Sequence, residues 1–427
     1  MTKSPSTQSQ ANPSSLASSQ GQPHKVYYTL VVIMACGLIS SCFGVLINIS
    51  GLFFQPLSAD FQVGQGAAAF TLTLTNICQA VVGLLVPTLL KKIGLKPLVI
   101  AGTLAEVVPS ILLARASSMG QIYLWNAIRG AGAGLIGMVL VTILINNWYV
   151  KRKAIMTSIA IGISGLVGAV LSPILSGVIA SHGWRTAYMV EAFVMLAFNL
   201  PALLAPITLT PGEKGMVAYG AATLDIQAGA QKAAASTGSS KVITPFVYAM
   251  LLIYGFLAGF VSALPQHYVG IAKFYQIAAA GAFMLSASMV MNTLGKVLVG
   301  ALVDKIGAKK TLLGIVSLVT LSILAFFVPQ LWVLMLGAGA CGFCFALPTV
   351  GVVTFTQDLF GSENYSKAFP PASLTATLAN AVGTAAIGFI YDAAQSYAPA
   401  LILLLLMGFG QLVTIFFAYK MNPNKAN

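Results

Sequence analysis

The sequence predicts an all-α membrane protein whose helices cross the bilayer twelve times, in two halves of six. Its composition, the spacing of its apolar stretches and an internal repeat lead to this prediction. Of the 427 residues, 58% are hydrophobic and only 7% are charged, and the mean hydropathy is +0.89. A soluble domain of this length and composition would aggregate, so the chain is expected in a membrane.

Apolar stretches of about 20 residues, the length that crosses a bilayer, are numbered here as spans 1 to 12. They lie near residues 26–50, 68–90, 98–115, 121–146, 153–180, 184–206, 243–265, 276–302, 310–328, 330–357, 368–391 and 396–420. The stretch from Val26 is too long for the apolar region of a signal peptide and lacks a small-residue cleavage site at the right place. We therefore expect it to remain in the chain as span 1.

One long polar connection, residues 207–242, follows span 6 and divides the chain. We expect an N-terminal bundle over residues 26–206 and a C-terminal bundle over residues 243–420. The segments 1–25 and 421–427 are expected to be cytoplasmic tails. The first of them is rich in Ser, Gln, Asn and Pro and cannot bury a core, so we expect it to be disordered.

The ends of span 2 and span 8 carry the same kind of turn. Span 2 ends in PTLLKKIGLKP, Pro87–Pro97, and span 8 ends in GALVDKIGAKK, Gly300–Lys310. Two parallel repeats of six spans would place such a turn at the second position of each half. The repeat therefore favours two pseudo-symmetric bundles.

The net charge of +13 comes from basic residues in short turns, which is the pattern of the positive-inside rule and not of a nucleic-acid-binding face. With the N-terminus in the cytoplasm, only Arg115, Arg185 and Lys273 of the basic residues between spans lie outside. We expect a multi-pass protein of the plasma membrane (the inner membrane of a bacterial cell), with both termini cytoplasmic and no nucleic-acid partner.

The sequence offers no chemistry of an enzyme. The five cysteines lie in apolar stretches, where they behave as small hydrophobic residues. No metal-ligand cluster, nucleophile triad or phosphate-binding loop is recognisable, so we expect no enzyme activity, no metal site and no cofactor. A membrane enzyme or sensor is therefore disfavoured.

The turn after span 8 contains Gly300, Asp304, Lys305 and Gly307 in the pattern G-x-L-x-D-K-x-G-x-K-K. This pattern resembles motif A of the major facilitator superfamily. The resemblance implies the two-bundle fold of that superfamily and transport by alternating access, with Asp304 accepting hydrogen bonds from a helix N-terminus when the inner gate is closed. The copy after span 2 has Lys91 where the family has an acid, which either removes that contact or only marks topology.

Two further segments resemble motifs of the same superfamily. Arg129-x-x-Gly132-x-Gly134 in span 4 is similar to motif B, and span 5 is similar to motif C. In span 5, Pro173 and Gly177 are the expected gating residues, because proline relaxes the helix and small residues allow close packing. Ordinary small-residue packing is the alternative interpretation.

Within the superfamily, the chain resembles the monocarboxylate porters and the oxalate/formate exchangers. Phe53–Leu57 resembles their exit from span 1, and Asn147-Trp148-Tyr149 resembles their turn after span 4. Lys296, eight residues before Asp304, matches the position of the arginine that binds the substrate carboxylate in those families. The alternative for Lys296 is an ion pair that locks the second half.

The chain departs from this group in two ways. Span 11 has no second cation beyond Lys367 at its inner end, and a lysine at 296 gives up the bidentate geometry of arginine. One point charge suits a monoanion better than a dianion. The resemblance therefore implies a secondary transporter of a small organic monoanion, by proton symport or anion exchange with a counter-anion, and we expect it to act as a monomer.

Three further charged residues lie inside spans. Glu106 could carry a proton, or it could pair with Arg129 inside the N-terminal bundle. Arg129 could be structural or coupling, or it could contact substrate. Glu191 is a second candidate for proton coupling, although a pair with Arg185 at the wet outer rim is favoured because it lies only about two turns from the outer end of span 6.

The amides of Asn48, Asn76 and Gln79 are candidate substrate ligands, since amides bind carboxylate and hydroxyl groups. Interhelical hydrogen bonds are the alternative for each. The rival function is a proton-coupled exporter of drugs or metabolites, which the segment similar to motif C favours.

Overall fold

The computed structural model describes residues 23–221 and 244–422. Most of the predicted N-terminal tail, residues 222–243 of the predicted linker and the end of the chain from 423 onward lie outside the described residues. The described chain is helical apart from its connections and one isolated β-bridge.

In the N-terminal half, span 1 is built from Pro23–Ile39, the π-helical segment Ser40–Val45 and Gly51–Phe61. Span 2 is Gln65–Ile93, span 3 is Leu95–Leu113, span 4 is Met119–Ile136 with Met138–Trp148, and spans 5 and 6 form the continuous helix Lys153–Leu204. In that last helix Gly183 has φ +81° and ψ 165°, which turns the chain back between the two spans.

In the C-terminal half, span 7 is Pro245–Val261, the 3₁₀ turn Leu264–His267 and Tyr268–Phe274. Span 8 is Ala280–Ile306, span 9 is Ala308–Ile323 with Leu324–Phe327, and span 10 is Leu331–Cys341 with Gly342–Phe345 and Leu347–Gly351. The helix Val352–Ala394 bends at Gly361 and contains the end of span 10 and all of span 11. Span 12 is Ala398–Lys420.

Eleven described helical segments are long and apolar enough to cross a membrane. One of them, Ile155–Leu204, has 50 residues and would be about 75 Å long if it were straight, so its bend at Gly183 makes it spans 5 and 6. The prediction of twelve crossings is therefore confirmed. Two predicted ends are too short: span 1 continues to Phe61 and span 7 continues to Phe274, because irregular turns inside them join two helical pieces.

Four spans are broken near the middle. Span 1 is broken over Ser40–Ser50, span 4 at Gly137, span 7 over Ser262–His267 and span 10 over Gly342–Gly351. If the twelve spans are divided into consecutive groups of three, these four are the first span of each group. Irregular backbone at membrane depth is tolerated where it is buried in protein or faces a water-filled cavity. We therefore expect functional groups to lie beside these breaks.

The repeated turn has the same backbone conformation in both halves. Gly94, after span 2, has φ +81° and ψ 179°, and Gly307, after span 8, has φ +85° and ψ 158°. Such positive φ values are open to glycine at little steric cost. The turn predicted as a repeat is thus a repeat in structure as well as in sequence.

The turns between spans lie on two opposite sides of the protein. We call the side with the turns at residues 62–64, 114–118 and 395–397 the outer side, and the side with Gly94 and Gly307 the inner side, following the orientation that the basic residues predict. The two halves pack through spans 2 and 11 along one line and through spans 5 and 8 along another.

The first part of the predicted linker is folded onto the inner side of the N-terminal half. Tyr219 forms an isolated parallel bridge with Tyr149, and the backbone nitrogens of Val150 and Lys151 both donate to the Tyr219 carbonyl. The rings of Tyr28, Tyr149 and Tyr219 pack with centroids 5.4 to 6.1 Å apart. The start of the predicted linker, up to Tyr219, is therefore packed on the N-terminal half.

Candidate functional site

A set of hydrogen bonds joins the two halves. They link Gln65 and Gly66 to Asp392, Thr73 to Ala381, Asn76 to Asn380, Gly51 and Ile47 to Gln266, Ser172 to Ala282, Ala169 to Ser286, and Gly162 to Thr293. Of the span 8 residues in this set, Thr293 lies nearest the inner side, about 20 Å from the inner end of that helix at 1.5 Å per residue. These contacts lie in the outer and middle parts of the spans.

Lys296 lies just inward of this layer of contacts. It is one helical turn beyond Thr293, whose hydroxyl donates to the Gly162 carbonyl at 2.9 Å, and its side chain is half-buried. Among the described side chains, no carboxylate lies within ion-pair range of its ammonium group; the pairs that the described residues form are Arg129–Glu191 and Arg185–Asp60. The ion pair weighed as the alternative for Lys296 is not found there.

Asn76 and Gln79 lie on the other line of contact, in span 2. The Asn76 amide donates to Asn380 Oδ1 at 3.2 Å, and the Asn380 amide donates to Ser262 Oγ at 2.9 Å. Gln79 is one turn further inward, and its Nε2 is buried with no acceptor among the described residues. An unsatisfied amide donor at the contact between halves can bind an acceptor group of a ligand.

Asn48 makes an interhelical hydrogen bond. Its Nδ2 donates to the Ser164 carbonyl at 3.0 Å, which ties the broken part of span 1 to span 5. A Cβ on Gly168 would lie 3.2 Å from Asn48 Cβ, so the two spans are closely packed at this point. The structure thus favours the packing interpretation of Asn48 over substrate contact.

Arg129 and Glu191 form a buried ion pair inside the N-terminal half. Arg129 Nη2 lies 2.6 Å from Glu191 Oε2, and both side chains are only 2% exposed. The guanidinium also lies over the Tyr188 ring, 5.3 Å from its centroid, and Nη1 donates to Asn126 Oδ1 at 3.4 Å. Span 4 is thereby fixed to span 6, which favours a structural or coupling role for Arg129 over direct substrate contact.

One predicted pairing is wrong, and one pairing weighed as an alternative is not found. Glu191 does not pair with Arg185 at the outer rim: Arg185 donates to Asp60 at 2.9 Å and is about half exposed. Glu106 does not pair with Arg129, whose partner is Glu191. Arg185 and Glu191 are six residues apart, so they lie about 120° apart around the helix at 100° per residue, on different faces.

Glu106 is fully buried among spans 1, 3 and 6. Its Oε2 accepts hydrogen bonds from Ser41 Oγ at 2.6 Å and from Asn199 Nδ2 at 3.3 Å. Ser41 belongs to the π-helical segment of span 1, a local geometry that often marks functional sites. The sequence analysis missed Ser41 and Asn199, although Asn199 is a polar residue inside an apolar span.

The residues predicted to gate lie in open surroundings. A Cβ on Gly300, Gly307 or Gly177 would meet nothing within 4 Å, and Asp304 and Lys305 are exposed at the inner end of span 8. Close packing of span 5 occurs instead at Gly165, where a Cβ would lie 2.2 Å from Thr293 Oγ1. The close approach expected at Gly177 is therefore not found in this conformation. Pro173 lies inside the helix without breaking it.

The outer ends of the halves meet at a cap and a close approach. Asp392 accepts hydrogen bonds from the backbone nitrogens of Gln65 and Gly66, and a Cβ on Gly388 would lie 2.7 Å from Gly66 Cα. A pocket of about 360 Å³ lies beside them; Gln55, Ser58, Ala59, Gln65, Gly270, Lys273, Phe274 and Tyr391 line it. It includes none of the predicted site residues.

Apart from Asn48 and the gating residues, the predicted site residues thus fall into three places. Lys296 lies inward of the contact between spans 5 and 8, Asn76 and Gln79 lie at the contact between spans 2 and 11, and Arg129, Glu191 and Glu106 lie inside the N-terminal half. Across the described residues, no group of three or more His, Cys, Asp and Glu side chains could hold a metal ion. The arrangement offers a lone cation, amide donors and buried carboxyl groups.

This fold, two bundles of six spans with turns repeated between them, is that of a membrane transporter. A family model described as Major Facilitator Superfamily matches residues 34–285 and 249–427. The chain belongs to the Major Facilitator Superfamily.

Curated relatives are distant. A protein named Multidrug resistance protein B homolog from Mycobacterium tuberculosis is 26% identical over 235 residues, 52% of this chain and 43% of the relative. The MFS-type transporter pynF of Aspergillus niger is 25% identical over 296 residues, 69% of this chain and 64% of the relative. The matched region thus spans less than two thirds of either relative.

Solved structures show the same fold at low identity. A bacterial homolog to the human lysosomal transporter Spinster, in an inward-facing and occupied conformation, has a TM-score of 0.70 and 12% identity, with 94% of this chain and 98% of that chain covered. A D-xylose-proton symporter has a TM-score of 0.69 and 16% identity, with 94% and 99% covered. A peptide transporter POT in complex with sulfate has a TM-score of 0.67 and 13% identity, with 94% and 95% covered.

Proposed function

We propose that this transporter moves a small organic monoanion by alternating access, with the carboxylate of the substrate held by Lys296. The observation that carries the proposal is the position of this lysine: an ammonium group inside span 8 with no described carboxylate partner, one turn inward of the last contact between spans 5 and 8. A charged side chain at membrane depth is costly, so it normally faces a protein interior or a wet cavity. A substrate anion would supply the missing partner.

The charge count favours a monoanion. Arg129, the fully buried cation of the described spans, is neutralised by Glu191 at 2.6 Å. Asn76 and Gln79 lie on the opposite contact line and can offer hydrogen bonds but no charge. A dianion would leave one of its charges without a partner in a low-dielectric cavity, which costs free energy. The site is therefore suited to one carboxylate.

Transport of an anion against its gradient needs coupling, by proton symport or by exchange with a counter-anion. Buried carboxyl groups at Glu106 and Glu191 are the candidates for the proton. The inner gate of this proposal is the turn at Gly300, Asp304, Lys305 and Gly307, while Pro173 and Gly177 are gating candidates in the part of span 5 nearer the outer turn at Gly183. Asp304 is exposed here, and we expect it to cap a neighbouring helix when the inner side closes.

The test is uptake of labelled lactate and formate into proteoliposomes, compared with the dianions oxalate and fumarate. Charged hydrogen bonds contribute about 1.5 to 3 kcal/mol, so we expect Lys296→Ala to lose about 10- to 100-fold in uptake of monocarboxylates. Lys296→Arg should retain much of it. Lys92→Ala, at an exposed position of span 2, is the matched control and should transport normally. Unchanged uptake by Lys296→Ala would contradict the anion site.

The second candidate is a proton-coupled exporter of drugs or metabolites. The observation that favours it is the relative named Multidrug resistance protein B homolog, which matches 52% of this chain. An exporter would move neutral or cationic compounds out of cells, and its transport would tolerate loss of the lysine charge. Export assays with Lys296→Ala in intact cells therefore separate the two functions. For either function we expect a plasma-membrane protein that acts as a monomer, with both termini in the cytoplasm.

A further inference from the structure

Glu106 and Asn199 share one hydrogen bond between their side chains, while the second terminal oxygen of Glu106 and the amide oxygen of Asn199 have no hydrogen-bond partner. Asn199 Nδ2 donates to Glu106 Oε2 at 3.3 Å. The remaining oxygens, Glu106 Oε1 and Asn199 Oδ1, are both buried without a hydrogen-bond donor among the described residues. Both atoms are acceptors when the carboxyl group is ionised. Two buried acceptors without a donor are unfavourable.

One proton would satisfy both atoms. A protonated carboxyl group is a donor through one oxygen and an acceptor through the other, and an amide is the complementary pair. With the proton on Oε1, Glu106 donates to Asn199 Oδ1 while its Oε2 still accepts from Asn199 and from Ser41 Oγ at 2.6 Å. We propose that Glu106 and Asn199 form an acid–amide pair that holds a proton in this conformation.

The surrounding charges agree with a neutral Glu106. The titratable groups that interact with it are Cys42 of span 1, whose thiol is a weak donor to the carboxyl group, and Arg129 of span 4. Arg129 is the cation of this set, and it is paired with Glu191 at 2.6 Å. An ionised Glu106 would then be a fully buried charge without its own counter-ion, which is strongly unfavourable. The added proton removes that charge without disturbing the existing ion pair.

The π-helical segment of span 1 links this pair to the movement of the protein. Ser41, in Ser40–Val45, donates to Glu106 Oε2 and accepts from Asn199 Nδ2 at 3.3 Å. A change in the winding of this segment would withdraw the hydroxyl group and alter the hydrogen bonds of the acid. Release of the proton would thus accompany rearrangement of span 1. This coupling step rests on the proposed function; the presence of the proton does not.

The test is infrared difference spectroscopy of the purified protein at neutral pH without substrate. We expect a C=O stretching band of a protonated carboxyl group that shifts in D₂O and is lost in Glu106→Gln. Glu106→Gln should stay folded, because its amide can donate to Asn199 Oδ1 as the acid does. Asn199→Val should keep the band but move it to higher frequency, since one hydrogen bond of the acid is lost. Asp60→Asn, which removes an exposed carboxylate paired with Arg185 in the same half, is the matched control and should keep the band unchanged.

Absence of the band in the wild-type protein, or its persistence in Glu106→Gln, would overturn the proposal. In proteoliposomes, Glu106→Gln should lose accumulation driven by a proton gradient. Because the spectra need no substrate, failure of the Lys296 experiment would leave this result standing.

Discussion

The carboxylate of Asp392, at the outer end of span 11, caps the first turn of span 2: its Oδ1 lies 2.7 Å from the backbone nitrogen of Gln65 and its Oδ2 lies 2.8 Å from that of Gly66. The cap joins the two halves, so it must break when the outer side opens. An acid at a helix N-terminus is stabilised by unpaired N–H groups and by the helix dipole. We therefore expect Asp392 to act as a latch that holds the outer ends of the two halves together.

Asp392→Asn should shift the protein toward an open outer side. Two hydrogen bonds to a charged acceptor are weakened, at about 1.5 kcal/mol or more, which corresponds to about a tenfold change in the equilibrium. Distances between spin labels on the outer ends of spans 1 and 7 would report the shift. Asp60→Asn removes a carboxylate whose partner, Arg185, lies in the same half, so its distances should match the wild type. Equal distances in Asp392→Asn and Asp60→Asn would contradict the latch.

Breaking the Arg129–Glu191 pair should destabilise the protein strongly. Both side chains are 2% exposed, and removal of one partner from a buried pair costs about 3 to 5 kcal/mol because the other charge is left unpaired. We expect Glu191→Gln to lower the melting temperature in detergent markedly, and Arg129→Met with Glu191→Leu to recover much of the loss.

The exposed pair Arg185–Asp60 provides the comparison for that experiment. Its side chains are 47% and 41% exposed, and exposed pairs contribute about 0 to 1 kcal/mol. Arg185→Met should therefore hardly change the melting temperature. If Arg185→Met lowered the melting temperature as much as Glu191→Gln does, the burial of an ion pair would not determine how much its loss destabilises the protein.

The count of spans could be predicted from the sequence because it depends on composition and length alone. The breaks in spans 1, 4, 7 and 10 could not. Ser40–Val45 and Gly137 lie in stretches as apolar as any regular helix, and hydropathy does not report how a backbone is wound. The repeated turn was predictable since Gly94 and Gly307 stand at matching positions and adopt matching conformations.

The site was predicted less well, because the sequence gives depth along a helix more readily than direction around it. Glu191 was expected near the rim from its distance to the outer end of span 6. Its face, which it shares with Tyr188 three residues earlier, points instead to Arg129. Asn199 and Asp392 gain their roles from partners 93 and 327 residues away along the chain. Such partners become visible only when the bundles are assembled.

The close approach of the halves at Gly66 should not tolerate a side chain. A Cβ there would lie 2.3 Å from Phe389 Cδ1 and 2.7 Å from the Phe389 backbone nitrogen, and overpacking of this kind costs about 1 to 3 kcal/mol. We expect Gly66→Ala to hold the outer ends apart in the spin-label measurement. Gly314→Ala, where a Cβ meets nothing within 4 Å, should leave the distances unchanged. Closed outer ends in Gly66→Ala would contradict this packing.

The docking of the linker onto the N-terminal half should depend on pH in the alkaline range. Tyr149 donates to the Tyr28 carbonyl at 2.8 Å, and burial, together with the neighbouring Tyr219 and Tyr28, raises the pKa of Tyr149 from 10.0 to about 12. Because the pKa of Tyr149 is raised in the docked state, the neutral phenol stabilises docking, and this stabilisation is complete below pH 10.0. It is lost as the pH rises through the pKa that Tyr149 has in the docked state. A spin label at Val217→Cys should therefore become mobile between these two values.

Removal of the Tyr149 hydroxyl separates its contribution from that of the ring. In the Val217→Cys background, Tyr149→Phe should show a smaller alkaline step, because it lacks the phenol that ionises, and it should leave the label immobile at neutral pH, because the Tyr149 hydroxyl bonds Tyr28 of span 1 and not the linker. Tyr123→Phe is the matched control, since the Tyr123 hydroxyl donates to the Ala67 carbonyl away from the linker, and it should behave as the parent protein does. A label that stays immobile above pH 12 in the parent protein would show that ionisation of Tyr149 does not govern docking. The linker would then be held by ring packing and by the backbone bridge between Tyr149 and Tyr219.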